Sequence, residues 1–259
     1  MDLGISGRKA IICASTQGLG KACATSLARE GCIVYINGRH AERAQEVARE
    51  IARETGGLVY GVGADITTEA GRAALIAACP EADILVNNNA GPPPGKLADW
   101  HHESWIQALE SNMLAPALLI RAVVPGMRAR KFGRIINITS AMVKSPRPQM
   151  ALSTGARAGL TAFSKSLSLE VAVDNVTINS LLPERIDTDR QRFMAEKMMK
   201  EQSISMQEAR DQIAQSIAAK RFGTPKEFGD ACAYLCSAQA SFISGQNLQL
   251  DGGSYHGLI

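Results

Sequence analysis

Short runs of apolar, often β-branched residues alternate along the chain with longer stretches in which apolar positions recur at helical spacing. The runs KAIICA (9–14), CIVYIN (32–37), LVYGVG (58–63), DILVNN (83–88), RIINIT (134–139), VTINSL (176–181) and NLQL (247–250) read as strands. Helical periodicity fills the gaps, including 18–30, the charged amphipathic 41–55, and 104–130, 153–172 and 224–237. Continuously apolar strands are buried on both faces, and strand–helix alternation is how a chain covers both faces of a parallel sheet. The pattern therefore predicts an α/β protein with a doubly wound parallel sheet. No Pro/Gly/Ser-rich linker, repeat or low-complexity tract divides it, so residues 1–259 read as one domain.

Composition narrows the partners. The 259 residues are 46% hydrophobic and 20% charged, enough for a sizeable core. A net charge of +3, dispersed along the chain, argues against nucleic-acid binding. The six cysteines (Cys13, Cys23, Cys32, Cys79, Cys232, Cys236) form no CxxC pair and no metal-ligand spacing, so the expectation is reduced thiols and no metal. The N-terminus has no charged region followed by a long apolar run, and no later segment reads as the roughly 18 consecutive apolar residues of a membrane span. A cytoplasmic protein without membrane attachment is the resulting expectation.

The turn ASTQGLG (14–20) joins the first strand to the first helix. Gly18 and Gly20 allow close backbone approach to a pyrophosphate, and a helix N-terminus offers N–H groups and a positive dipole end. Arg39, at the end of the second strand, stands where an acid would select a free ribose 2′-hydroxyl. An arginine there can pair with a 2′-phosphate, which favours NADP over NAD, although a solvated arginine at a strand end is the plain alternative.

With these motifs in order, the chain resembles the short-chain dehydrogenase/reductase family, especially its 3-oxoacyl-acyl-carrier-protein-reductase-like members. The family's GxxxGxG falls on Ala14, Gly18 and Gly20, with alanine at the first glycine. The "D-V" pair after the third strand falls on Asp65 and Ile66, and the "NNAG" motif on NNNAG (87–91), which displaces the glycine by one. FGRIINITS (132–140) and VTINSLLPERIDT (176–188) match the fifth and sixth strands, with Glu184 replacing the glycine of PGxIxT. The resemblance implies cofactor contacts at Ser15, Gln17, Gly18, Leu19, Gly20, Arg39, Asp65, Ile66, Asn88, Arg157, Pro183, Ile186 and Thr188. It also implies a homotetramer or homodimer built partly from the helices at 104–130 and 153–172.

The family's catalytic asparagine and serine fall on Asn112 and Ser140, but its tyrosine and lysine positions hold Ser153 and Arg157. The four tyrosines are Tyr35, Tyr60, Tyr234 and Tyr255, and none has a lysine four residues later. An alkyl hydroxyl is a poor acid beside a phenol near pKa 10, and a positioned general acid contributes on the order of 10²–10⁴-fold. Arginine keeps the charge of lysine but does not share protons near neutral pH. Ser153 reads equally as a helix N-cap, a solvated helix arginine is the lesser alternative for Arg157, and His101 and His102 read as surface residues rather than proton donors. The chemistry implied is carbonyl–alcohol interconversion of a small ketone, diketone or 3-oxoacyl substrate. A cofactor-binding regulatory protein and a non-redox lyase or isomerase are the alternatives.

The family places a lid after the sixth strand, here about 184–222, and this stretch is long enough for two helices. Its Met194, Met198, Met199 and Met206 suit either a bulky apolar substrate or ordinary helix packing. The prolines of GPPPGKL (91–97) stiffen a loop at the carboxyl ends of the strands.

Overall fold

The computed structural model describes residues 1–258. Seven parallel strands form one sheet in the order β3-β2-β1-β4-β5-β6-β7. They are β1 (Lys9–Ile12), β2 (Ile33–Gly38), β3 (Val59–Gly63), β4 (Ile84–Asn87), β5 (Gly133–Ile138), β6 (Val176–Pro183) and β7 (Asn247–Leu250). The order reverses between β1 and β4, a switch point that opens a crevice at the carboxyl edge of the sheet. Every residue of β4 and β5 is buried, as expected for strands covered on both faces.

The helices are α1 (Gly18–Arg29), α2 (Ala41–Thr55), α3 (Glu69–Ala78), α4 (His102–Leu109), α5 (Ala115–Ala129), α6 (Ala151–Val171), α7 (Asp189–Gln202), α8 (Met206–Gln215) and α9 (Pro225–Cys236). One apolar layer joins α1, α2 and α9 to the sheet, around Leu27, Val47, Ile51, Phe228 and Cys232. The opposite layer joins α3 and α5 to it, around Leu75, Leu119, Ile120, Val124 and Met127.

The helix expected over 104–130 is interrupted. Residues Glu110–Leu114 form a wider turn of π type between α4 and α5, and Asn112 lies in it. Across that turn the helical run spans 28 residues and meets the length and composition of a membrane span, contrary to the sequence expectation. Its inner side, including Leu119, Ile120, Val123 and Met127, is buried on the sheet, so it is placed as a core helix. All six cysteines are buried free thiols among the described residues, and burial pushes Cys13 up to about 12.

Candidate functional site

At the carboxyl edge of the sheet the strands carry buried polar side chains that hold the loops in place. Asn37 at the end of β2 accepts from the Ala14 amide at 3.2 Å and donates to the Ala64 carbonyl at 2.9 Å. Asn87 on β4 donates to Asn137 on β5 at 2.9 Å, and Asn137 donates to Ser164 of α6 at 2.9 Å. Each amide is satisfied, so these residues tie neighbouring loops and helices without leaving orphaned groups.

The β1–α1 turn is held in an open shape. Ala14 adopts φ +43° and Gly18 φ +57°, both in the left-handed region. A Cβ on Gly20 would lie 2.6 Å from the Ala14 oxygen and 2.9 Å from Asn88 Nδ2, so only glycine fits. Asn88 Nδ2 donates to the Ala14 carbonyl at 3.0 Å, bracing the turn from β4. Gln17 is the N-cap of α1 but makes no side-chain cap, and no acid occupies the first turn. The first amides of α1 therefore face outward as a ready anion site.

The other residues expected at this end divide into two groups. Arg39 is exposed and makes no hydrogen bond or ion pair among the described residues. Asp65 follows β3, and the Thr67 hydroxyl and amide hold its carboxyl below the usual range. Thr188 and Gly18 share the lining of a cleft of about 340 Å³ between α1 and the start of α7. By contrast, Ser15 turns inward: its hydroxyl donates to Ile12 and accepts from the Asn37 amide. Leu19, Ile66 and Ile186 direct their side chains into the apolar layers, and Pro183 ends β6.

The reaction-centre candidates do come together. Ser140 follows β5, and its Oγ accepts from the Met142 amide at 3.2 Å, leaving its proton available to donate. Ser153 is not an N-cap: α6 begins at Ala151, and Ser153 is 6% exposed within it. Arg157 is not solvated either, being 9% exposed. Its Nε donates to Ser153 Oγ at 3.2 Å, Nη1 to the Ile138 and Thr139 carbonyls at 2.8 and 3.0 Å, and Nη2 to the Asn89 carbonyl at 3.2 Å. One N–H remains. Burial, and secondarily the charge of Arg190, push Arg157 down to about 10.

The extra asparagine has a place in this arrangement. Asn89 Nδ2 donates to the Ser111 carbonyl at 3.1 Å while its own carbonyl receives Arg157. Gly91, displaced by one from the family motif, lies over the pair; a Cβ there would be 3.3 Å from both Arg157 Nη2 and Ser153 Oγ. Asn112 is 3% exposed and donates to Ser111 Oγ at 2.8 Å and to the Ala90 carbonyl at 3.4 Å. Its Oδ1 has no partner among the described residues, nor do Thr139 Oγ1 and Thr154 Oγ1. Sequence reasoning passed over Thr139 and Thr154, although each adjoins a named serine. Buried oxygens without protein donors suit water or a ligand group.

Two further expectations are settled by position. Met198, Met199 and Met206 pack around Ala195, Ala209 and Ile213 in a small core between α7 and α8, which is ordinary helix packing; Met194 lies outside it. His101 and His102 are exposed at the start of α4. Among the tyrosines, Tyr35 and Tyr60 stack at 5.2 Å on β2 and β3, and Tyr234 lies on α9. The Tyr255 ring sits 5.4 Å from Lys144 Nζ, beside the turn after Ser140.

The parallel switch-point sheet, open glycine turn and serine-bearing carboxyl edge define a dinucleotide-type α/β oxidoreductase scaffold. Residues 13–255 match the family model described as enoyl-(acyl carrier protein) reductase, and the chain belongs to the short-chain dehydrogenase/reductase family. It is 33% identical to the NADPH-dependent reductase BacG of Bacillus subtilis, covering 96% of this chain and 98% of that one. It is 31% identical to the 3-oxoacyl-[acyl-carrier-protein] reductase FabG of Aquifex aeolicus, over 98% of this chain and 100% of that one. The L-sorbose reductase of Gluconobacter frateurii, solved in complex with NADPH and L-sorbose, superposes over 100% of both chains with a TM-score of 0.94 and 32% identity.

Proposed function

We propose that this protein is an NADPH-dependent reductase of a small carbonyl compound whose site works without the family's tyrosine and lysine. The residues fit the cofactor: the Gly20 position that a Cβ would fill, the uncapped α1 N-terminus and the unpaired Arg39 would hold the pyrophosphate and the 2′-phosphate. Asp65 and Asn88 would border the adenosine and Thr188 the nicotinamide end. When bound, the nicotinamide supplies hydride to a carbonyl carbon. The observation that carries the reading is that the bonded pair Ser153 and Arg157 is tied to the carbonyls of Thr139, next to Ser140, and of Asn89, next to the Ala90 carbonyl that Asn112 holds.

In this reading the Ser140 hydroxyl donates to the substrate oxygen. Ser153 and the buried Arg157 charge stabilise the developing oxyanion in a low-dielectric setting. Asn112 Oδ1 orients a water that delivers the proton. The four spent Arg157 donors leave little for ribose hydroxyls, so its part is electrostatic. We also propose that the protein is cytoplasmic, supported by its buried free thiols, and a homo-oligomer through α4, α5 and α6.

The test is a fluorescence titration with NADPH and NADH, followed by NADPH oxidation over a panel of ketones, diketones and 3-oxoacyl thioesters. Preferential NADPH binding with turnover is expected, and Ser140→Ala should lower kcat by about 10²-fold or more. The committed donors of Arg157 also favour a second reading, a cofactor-binding protein without turnover. Tight NADPH binding with no oxidation of any carbonyl would establish that instead.

A further inference from the structure

One side chain, Arg72 of α3, joins the turn after β3 to the π turn at Glu110–Leu114. The start of α3 rests on the Asp65 backbone: a Cβ on Gly71 would lie 1.9 Å from the Asp65 oxygen, so only glycine fits. The Thr68 hydroxyl donates to the Asp65 carbonyl at 2.9 Å and accepts from the Gly71 amide at 3.0 Å, which locks the turn to the helix. Arg72, the next residue, is half-buried. Its Nη1 donates to the Ile66 and Thr67 carbonyls at 2.9 and 3.0 Å and to Glu110 Oε1 at 3.3 Å. A guanidinium Nη bears two N–H groups, so the three oxygens share them.

From Glu110 the bonded path continues to the reaction centre. The carbonyl of Ser111, the next residue, accepts from Asn89 Nδ2 at 3.1 Å, and the Asn89 carbonyl receives Arg157 Nη2 at 3.2 Å. The Ser111 hydroxyl accepts from Asn112 Nδ2 at 2.8 Å. A π turn departs from the preferred α geometry, so contacts from outside the helix help to hold it. At the far end of the path Asp65 is exposed, and its Oδ1 accepts from the Thr67 amide at 3.0 Å and hydroxyl at 2.7 Å. A donor on a bound adenosine that reached this carboxylate would compete with both and shift the Thr67 carbonyl that Arg72 holds.

We propose that Arg72 is a positioning residue that links the adenosine end of the cofactor site to the π turn, so that occupancy beside Asp65 orders Glu110–Leu114 and Asn112 within it. This rests on the cofactor part of the reductase reading above. The shared Nη1 is the connecting element: a shift of the Ile66 and Thr67 carbonyls redistributes its N–H groups with respect to Glu110. Cofactor bound at one end of the crevice thereby fixes the asparagine at the other, before a carbonyl compound arrives.

The test uses adenosine 2′,5′-bisphosphate, a fragment that fills the adenosine end and carries no nicotinamide. Calorimetry confirms its binding to the intact protein, and hydrogen–deuterium exchange follows residues 65–68 and 110–114 with and without it. The fragment should slow exchange in both segments of the parent, by about 5-fold or more at 110–114, the low end of ordinary coupling between sites. Arg72→Met should abolish the slowing at 110–114. Glu110→Ala, at a half-buried position that leaves Arg72 its two carbonyls, should abolish it there while the slowing at 65–68 remains. A purely structural role for Arg72 would lower Tm without this loss of transmission. Slowing confined to 65–68 in the parent overturns the proposal, as does slowing at 110–114 that survives Glu110→Ala. So does binding of NADPH without binding of the fragment. If neither binds, the cofactor reading fails and takes the link with it. If NADPH binds but no carbonyl turns over, the reductase reading fails alone, and the exchange result still decides the link.

Discussion

Ala14 holds a left-handed backbone, φ +43°, at a position where the family has glycine. A non-glycine residue in that region costs roughly 1–2 kcal/mol, partly offset by the greater unfolded freedom of glycine. Ala14→Gly should therefore raise Tm by about 1–3 °C in thermal unfolding of the apo protein. Arg157 presents the opposite case, because its charge is costly and its hydrogen bonds are needed. With its pKa lowered to about 10, the unfolded chain binds the additional proton above that pH, so the burial cost is present at neutral pH and is relieved only as pH rises beyond about 10. Replacing it still leaves the Ile138, Thr139 and Asn89 carbonyls without their donor. Arg157→Met should lower unfolding free energy by on the order of 3 kcal/mol in urea titration.

The elements around the site are set by their ends. The π turn at Glu110–Leu114 lets Asn112 face Ala90 and Ser111 rather than continue a regular helical face. At the other face, α9 begins with a capping box in which Thr224 and Glu227 satisfy each other's amides. The Arg221 guanidinium, then the Thr224 amide, hold the Glu227 carboxyl down to about 2. A carboxyl lowered on folding contributes stability above its unfolded value near 4.5 and loses it as pH falls towards about 2. Glu227→Gln should thus lower Tm by a few degrees at pH 7, and the difference from the parent should shrink across pH 4.5 to about 2.

At the scale of the whole molecule, Trp105, Ile106, Leu114, Leu118 and Phe163 are exposed on or beside α4, α5 and α6. Large apolar side chains collected on neighbouring helices mark a surface suited to association with a second copy. Light scattering at micromolar concentration should show a dimer or tetramer. Leu118→Asp, at the outer face of α5, should shift it towards monomer while the circular dichroism spectrum is kept.

Strand and helix periodicity by itself determined the α/β class, because burial on two faces demands continuous apolar strands and their helical cover. The turn 14–20, Ser140 and Asn112 were singled out by local backbone chemistry and motif order, which spacing along the chain records. For Ser153 and Arg157 the same local logic left two readings open: a hydroxyl near a helix start also suits a cap, and an arginine on a helix also suits solvent. Only the tertiary structure buried that pair, by bringing the ends of β4 and β5 over α6 so that backbone carbonyls from distant segments meet one guanidinium. It likewise decided the π turn and the inward Ser15. Those features depend on which loops share an edge of the sheet, and spacing along the chain does not encode that proximity.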